Sequence, residues 1–205
     1  MNATRKLRTW LAIICVASFA ALGWVGTEIY LKAPPIPQKV VSASGDLIFT
    51  ADQIQQGQQA WLSAGGQQMG TVWGHGSYLA PDWSADWLHR EALALREIWA
   101  QRDYGMPFAQ LNVGQQGQVN SLLKVEMRHN AYSSANATLT VSDDRAAAIR
   151  QVASHYSGLF GDEKTLDTLR SQYAMATDSL PDPGDRQALT AFFFWSSCAA
   201  TTDRP

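Results

Sequence analysis

Cysteine is scarce in this sequence. The 205 residues contain only Cys15 and Cys198, and no Cys-x-x-Cys occurs anywhere. A disulfide framework is therefore excluded, as are covalent c-type haem attachment, a thioredoxin-like redox motif and a zinc ribbon. Chemistry that needs two neighbouring thiols is absent from this chain.

An excess of charge is also lacking. The formal net charge is -2, and 17% of the residues are charged, with no basic stripe that could neutralise phosphates. We therefore expect no nucleic-acid partner. The four histidines, at positions 75, 89, 129 and 155, lie far apart at no metal-ligand spacing, so a structural role for His75 is favoured over metal binding.

What the sequence does contain begins with a long apolar run. Arg5, Lys6 and Arg8 precede it, which puts residues 1–8 in the cytoplasm by the positive-inside rule. Residues 9–31 are long enough to form one transmembrane helix, so the rest of the chain is expected outside the cytoplasm. A cleaved signal peptide, with Ser18 and Ala20 at a possible cleavage site, is the alternative, and it would leave the domain in the same compartment.

The remaining residues predict an extended linker and one helical domain. Pro34, Pro35 and Pro37 favour a spacer over residues 32–39. Residues 40–205 have room for one mainly α-helical domain with short β or extended segments. The expected elements are a short hairpin or turn at 40–49, helices at 50–63, 85–103 (capped by Ser84), 117–130, 142–157 (capped by Ser142), 160–174 and 182–200, and a strand or extended segment at 136–141.

The segment from residue 65 to residue 87 differs most from an ordinary core. It combines five glycines with His75, Tyr78 and Asp82 and with several tryptophans. Such loops hold ligands or partners in many proteins, although an aromatic-rich structural loop explains the same composition. Asp82, Asp86 and Glu91 flank a predicted helix start, where carboxylates favour the helix dipole, so no catalytic carboxylate pair is needed to explain them.

Residues 70–91 read GTVWGHGSYLAPDWSADWLHRE, and GQQAW occurs at 57–61, AFFFW at 191–195 and TDRP at 202–205. Together with the preceding apolar helix, these strings resemble the N-terminal region of bacterial quinol-dependent nitric oxide reductases over nearly the whole chain. In that family the region is a cytochrome c-like domain that has lost its haem. The resemblance therefore implies a haem-free cytochrome c-like fold for residues 40–205, with tryptophans filling the former haem pocket.

The resemblance also assigns roles to individual residues. Gly66 and Met69 stand where the haem-bearing relatives have their two cysteines, and Gly70 stands where they have the haem-ligating histidine. Gly76 and Tyr78 match residues that help to hold calcium at the junction with the catalytic subunit, although two ligands are far fewer than calcium takes. The segment around Trp73, His75, Pro81, Trp83 and Trp87 is expected to form the interface with that catalytic subunit.

The whole family enzyme reduces two molecules of nitric oxide to nitrous oxide with electrons from membrane quinol. By resemblance, this chain is its inner-membrane anchor and structural periplasmic cap, with no catalytic residue and no cofactor of its own. Two b-type haems and a non-haem iron belong to a catalytic membrane domain, similar to haem-copper oxidases, which we expect beyond residue 205. The chain is then a fragment, a pseudogene product or a split subunit, and Cys198 replaces an expected aromatic residue.

Two other interpretations are weighed against this one. A stand-alone, membrane-anchored protein-binding or assembly module could use the same cytochrome-like shell to dock another protein. A haem-carrying electron-transfer protein conflicts with the missing Cys-x-x-Cys-His motif. If the domain is a cap, its partner-facing surface should expose apolar area, and the chain alone should tend to aggregate.

Overall fold

A computed structural model describes residues 2–203 in two compact units, Met1–Pro35 and Ile36–Pro205. Met1, Arg204 and Pro205, which belong to the predicted N-terminal and C-terminal ends, lie outside the described residues. The first unit consists of helix α1, Asn2–Leu31, which is long and apolar enough to cross a membrane. Thirty residues of helix extend about 45 Å, against about 30 Å for the hydrocarbon core of a bilayer.

The second unit is mainly α-helical, as predicted. Between residues 36 and 203 it contains six α-helices, three short 3₁₀ turns and one small sheet. The α-helices are α2 (Ala51–Ser63), α3 (Trp83–Tyr104), α4 (Val113–Arg128), α5 (Asp143–Phe160), α6 (Asp167–Gln172) and α7 (Pro183–Thr201), and the 3₁₀ turns are Gly66–Met69, Phe108–Gln110 and Lys164–Leu166.

The sheet has four short strands in the order β2-β1-β4-β3: β1 (Lys39–Ser42), β2 (Leu47–Thr50), β3 (Tyr132–Ser133) and β4 (Thr138–Val141). β1 and β2 form the predicted antiparallel hairpin. β1 also pairs in parallel with β4, with Lys39 opposite Thr138, which joins the start of the domain to its middle. Lys39, the last residue of the predicted linker, is thus already the first residue of β1.

Polar side chains cap the helix starts. Thr50 and Gln53 form the predicted capping box of α2, and Ser142 caps α5 by accepting the backbone N–H of Arg145. The start of α4 was predicted four residues too late, because a second capping box, between Asn112 and Gln115, already begins the helix at Val113.

The predicted cap of α3 was wrong. Asp82, and not Ser84, is the N-cap, and its carboxylate accepts the N–H of Ala85 at 3.0 Å. Ser84 lies in the first turn, where its hydroxyl donates to Asp82 and accepts the N–H of Trp73 at 3.2 Å. α3 therefore begins two residues earlier than expected.

The helix predicted over residues 160–174 is α-helical beyond Phe160 only at Asp167–Gln172 (α6), and the side chain of Arg170, within α6, contacts the end of α5. This side chain is 2% exposed and donates to the carbonyl oxygens of Gly158 at 2.9 Å and Leu159 at 3.2 Å. These carbonyls belong to the last turn of α5, where the carbonyl oxygens have no N–H donors within the helix. α5 ends at Phe160, and within the rest of the predicted range only the six residues of α6 are α-helical.

The core is built around α7, which packs most extensively against α2. Gly57 permits this packing, since a Cβ at that position would lie 2.7 Å from the Cβ of Phe192. Phe192, Phe193 and Phe194 are all buried on α7. Burial of each such ring stabilises the fold by about 1.5–3 kcal/mol. A second, smaller apolar cluster around Leu95 and Trp99 lies between α3, α4 and α5.

Candidate functional site

The glycine-rich loop, residues 65–82, connects α2 to α3 and contains most of the residues singled out from the sequence. It begins with the 3₁₀ turn Gly66–Met69 and then passes beneath the indole of Trp83 at Gly70. A Cβ at Gly70 would lie 2.5 Å from Cε2 of Trp83 and 2.7 Å from the carbonyl oxygen of Pro81. Since Gly70 also has φ +107°, no other residue fits there without displacing the ring.

Three indole N–H groups hold the loop to the domain. Trp61 donates to the carbonyl of Gly70 at 3.3 Å, and Trp83 donates to the carbonyl of Met69 at 2.8 Å. Trp73 donates to the carbonyl of Ser196 at 2.7 Å, which ties the middle of the loop to α7. The first two bonds satisfy loop carbonyl oxygens that would otherwise be left without donors on a packed core, and the third fixes the loop to a helix.

Asp82 organises the second half of the loop. Its Oδ2 accepts the hydroxyl of Thr71 at 2.7 Å and the N–H of Gly74 at 2.6 Å, while Oδ1 accepts the donors of Ser84 and Ala85. Burial raises the pKa of Asp82, but these four hydrogen bonds outweigh it and hold the pKa below its ordinary value. The carboxylate is thus committed to the loop's shape and not poised for proton transfer at neutral pH.

The tip of the loop faces solvent with apolar and aromatic side chains. Tyr78 is 99% exposed, Leu79 54% and Trp73 52%, and His75 is exposed beside them. Trp73 adopts φ +55°, and its ring packs on Trp195 with centroids 5.4 Å apart. Positive φ is uncommon for a tryptophan. We call Trp73, His75, Tyr78 and Leu79 the loop tip.

Two members of the predicted interface are not on the surface. Trp83 and Trp87 are both 0% exposed, so the prediction that they contact a partner is corrected. Trp83 stacks on Phe193, with centroids 5.6 Å apart, and Trp87 stacks on Tyr156 at 5.4 Å. Both side chains are buried because the side of α3 on which they lie packs against α5 and α7. Pro81 is half-buried.

The positions assigned to the lost haem lie together at the start of the loop. Gly66 and Gly70 are buried and Met69 is half-buried. These residues do not fit a c-type haem, because attachment needs two thiols and axial ligation needs an imidazole. The indole of Trp83 occupies the space above Gly70, and Tyr156, Phe160 and Phe193 surround it with ring centroids 5.5–6.0 Å away.

Calcium binding at Gly76 and Tyr78 stays a prediction. The N–H of Gly76 donates to the hydroxyl of Thr71 at 2.9 Å, and the Tyr78 side chain extends into solvent. Asp82 is the loop's one carboxylate, and both of its oxygens already accept hydrogen bonds. Within residues 2–203, no three His, Cys, Asp or Glu side chains are grouped to hold a metal. Further ligands would have to come from a partner.

Sequence reasoning missed a buried polar cluster beside the loop. Glu91 is 0% exposed and accepts the N–H of Trp87 at 2.8 Å and of the Arg145 guanidinium at 2.7 Å. Burial lowers the pKa of Arg145, but Glu91 outweighs this and keeps the pKa above its ordinary value. The signal was the spacing: Glu91 follows Trp87 by four residues, on the same face of α3.

Cys198 belongs to the same cluster. Its Sγ lies 3.5 Å from Nη2 of Arg145, and the side chain is 8% exposed. Burial raises the pKa of the thiol to about 11, although Arg145 acts in the opposite direction. The thiol is therefore protonated at neutral pH and acts as a small apolar group.

Comparison with known proteins is consistent with this architecture. The family model for the NorB cytochrome c-like domain of nitric oxide reductase matches residues 37–205. No curated protein matches the sequence. The class is thus a cytochrome c-like domain, here preceded by a helix compatible with a single-pass membrane anchor. The chain belongs to the NorB family of nitric oxide reductase cytochrome c-like domains.

Proposed function

We propose that this chain is the membrane anchor and haem-free periplasmic cap of a quinol-dependent nitric oxide reductase. The family match over residues 37–205 carries the proposal. Arg5, Lys6 and Arg8 before the apolar part of α1 support a cytoplasmic start in the bacterial inner membrane, with the domain in the periplasm. The reduction of nitric oxide and the oxidation of quinol take place in a catalytic membrane domain that contains the b-type haems and non-haem iron.

The cap supports the enzyme by contact and carries no electrons. An electron-transfer role would need a redox group in the domain, and the attachment positions hold Gly66, Met69 and Gly70 instead. Trp83 covers Gly70 and stacks on Phe193, so aromatic side chains pack tightly at this point of the domain. Reduction by membrane quinol, which the family resemblance implies, needs no redox group in this domain.

The loop tip is the surface that contacts the catalytic domain. It combines a fully exposed tyrosine with a leucine and a tryptophan that are each about half exposed, which is the composition of a protein interface. The three indole hydrogen bonds and the Asp82 network hold the loop behind the tip in one shape. A preformed loop binds at a smaller entropic cost than a flexible one.

Co-expression with a catalytic membrane domain of the family, on a separate tagged chain, tests this function. The intact chain should co-purify with the tagged domain and raise its nitric oxide consumption with a quinol donor. Combined substitution of Tyr78→Ser and Leu79→Ser should abolish co-purification. The matched control is Leu122→Ser with Val125→Ser on α4, two exposed apolar residues outside the loop, which should change nothing.

The stand-alone binding module is the alternative that this experiment separates. If the chain fails to bind the catalytic domain and stays monodisperse by itself, the cap function is refuted and the module replaces it. Calcium is tested in the same assay. If Gly76 and Tyr78 contribute ligands at the junction, removal of calcium with EGTA should weaken co-purification of the intact chain.

A further inference from the structure

A cleft away from the glycine-rich loop opens between α3, α5 and the 3₁₀ turn Phe108–Gln110. Its volume is about 520 Å³, within the range of small-molecule sites. Apolar surface from Leu93, Ala109 and Val152 forms much of its wall. Polar side chains also line the cleft, namely Arg90, Arg96, Glu97, Gln151 and His155.

Arg96 is the cation of this cleft that has no counterion. Arg90 is paired with Asp86, Nε to Oδ2, at 2.7 Å. Arg96 forms no ion pair within residues 2–203, and its buried Nε has no hydrogen-bond partner there. Its guanidinium carbon lies 3.7 Å from the centroid of the Phe108 ring, a cation–π contact that supplies no hydrogen-bond acceptor for the N–H groups.

A second unpartnered polar atom lies in the cleft. Nε2 of His155 is buried and has no partner within the described part of the chain. Burial lowers the pKa of His155 to about 4, with a contribution from Arg90 and opposition from Asp86. The imidazole is therefore neutral at pH 7 and can either donate or accept at Nε2.

The acidic residue of the cleft wall is already engaged. Glu97 accepts the backbone N–H of Phe108 at 3.0 Å. It adjoins Arg96 in the helix, and side chains one residue apart do not face each other. A buried donor without an acceptor destabilises the fold, and a ligand oxygen would remove that penalty.

We propose that this cleft binds a small organic anion with one carboxylate and an apolar body. The carboxylate accepts the N–H groups of Arg96, which suit a planar, bidentate partner. The apolar body packs against Leu93 and Val152, beside the neutral imidazole of His155. This site is separate from the loop tip, and it does not depend on the proposed cap function.

Benzoate is the test probe, with benzamide as its uncharged counterpart. Calorimetric titration of the full chain in lipid nanodiscs should show saturable benzoate binding and at least about tenfold weaker benzamide binding. Arg96→Gln should weaken benzoate binding by about tenfold or more. The matched control is Arg150→Gln, which removes an exposed arginine paired with Asp46 at 3.4 Å and should leave the affinity unchanged.

Any of these binding results would overturn the proposal: no saturable benzoate binding, equal binding of benzamide, or full affinity in Arg96→Gln. If Arg96→Gln does not fold, Arg96→Lys keeps the charge without the planar fork and should still bind more weakly than the unaltered chain. In the unaltered chain, the ¹⁵N resonance of the Arg96 Nε–H should shift on addition of benzoate. An unchanged resonance would also overturn the proposal.

Discussion

Replacement of Gly70 by alanine tests whether Trp83 fills the space above Gly70, the position that the family resemblance matches to a haem-ligating histidine. The added Cβ would approach the Trp83 ring to 2.5 Å and the Pro81 carbonyl to 2.7 Å. Trp83 is 0% exposed and Pro81 is held by its backbone bond to Thr71, so neither can move aside freely. The ring must shift and weaken its hydrogen bond to Met69.

The matched control is Gly45→Ala. Gly45 has φ +93°, close to the +107° of Gly70, but no atom lies within 4 Å of its Cβ position. Backbone strain of about 1–3 kcal/mol is thus common to both variants. Overpacking of about 1–3 kcal/mol and a weakened hydrogen bond of about 0.5–1.5 kcal/mol belong to Gly70→Ala alone.

The free energy of unfolding should therefore fall by about 1.5–4.5 kcal/mol more in Gly70→Ala than in Gly45→Ala. For a domain of this size, the difference corresponds to a Tm lower by about 3–18 °C. Thermal unfolding of the full chain in nanodiscs, followed by tryptophan fluorescence, measures it. Equal Tm values for the two variants would refute the packing of Trp83 over Gly70.

Three further predictions concern the buried and polar groups. Glu91→Gln should lower the free energy of unfolding by about 3–5 kcal/mol, because it leaves the buried Arg145 charge without a counterion; chemical denaturation measures this. In the fold the pKa of Asp82 lies below its unfolded value of about 3.9, so the ionised carboxylate stabilises the fold at higher pH. This stabilisation is lost as pH falls below that value, so Asp82→Asn should reduce the loss of stability between about pH 5 and pH 3. The Cys198 thiol, with its pKa raised to about 11, should resist maleimide at pH 8 until the domain is unfolded.

Each of these predictions has a control and an opposing outcome. Asp103→Asn breaks an exposed ion pair and should cost less than about 1 kcal/mol, so an equal effect of Glu91→Gln would contradict its burial. Asp162→Asn, at an exposed position, should leave the acid response intact; a matching change would discount the Asp82 network. The labelling needs Cys15→Ser to remove the thiol of α1, and rapid reaction of folded protein would show that Cys198 is accessible.

Local signals made much of the fold predictable. The capping pattern of Thr50 with Gln53, the Ser142 cap and the Asp182-Pro183 start each act within a few residues, and helices begin at all three. The hairpin of β1 and β2 is equally local. Long-range contacts were not predictable, since the parallel pairing of β1 with β4 joins segments about a hundred residues apart along the chain.

In the candidate site, too, local features were predictable from the sequence and long-range packing was not. The glycines and aromatic residues of the loop marked it as unusual, and the structure places its tip in solvent. Composition could not show that Trp83 and Trp87 turn inward while Trp73 stays half in solvent, because that depends on where α7 packs. Arg170 lies in a helix, as its periodic surroundings predicted, but the pattern could not show that its side chain donates to the last carbonyls of α5.

The haem content of the purified chain tests the central claim most directly, namely that residues of the domain itself fill the space of a c-type haem. The chain should be produced in a host that attaches haem to c-type cytochromes, and a pyridine haemochrome spectrum should be recorded after purification. We predict no covalently bound haem and no stable Soret band. One haem per chain would contradict the packing of Trp83 over Gly70 and the haem-free cap.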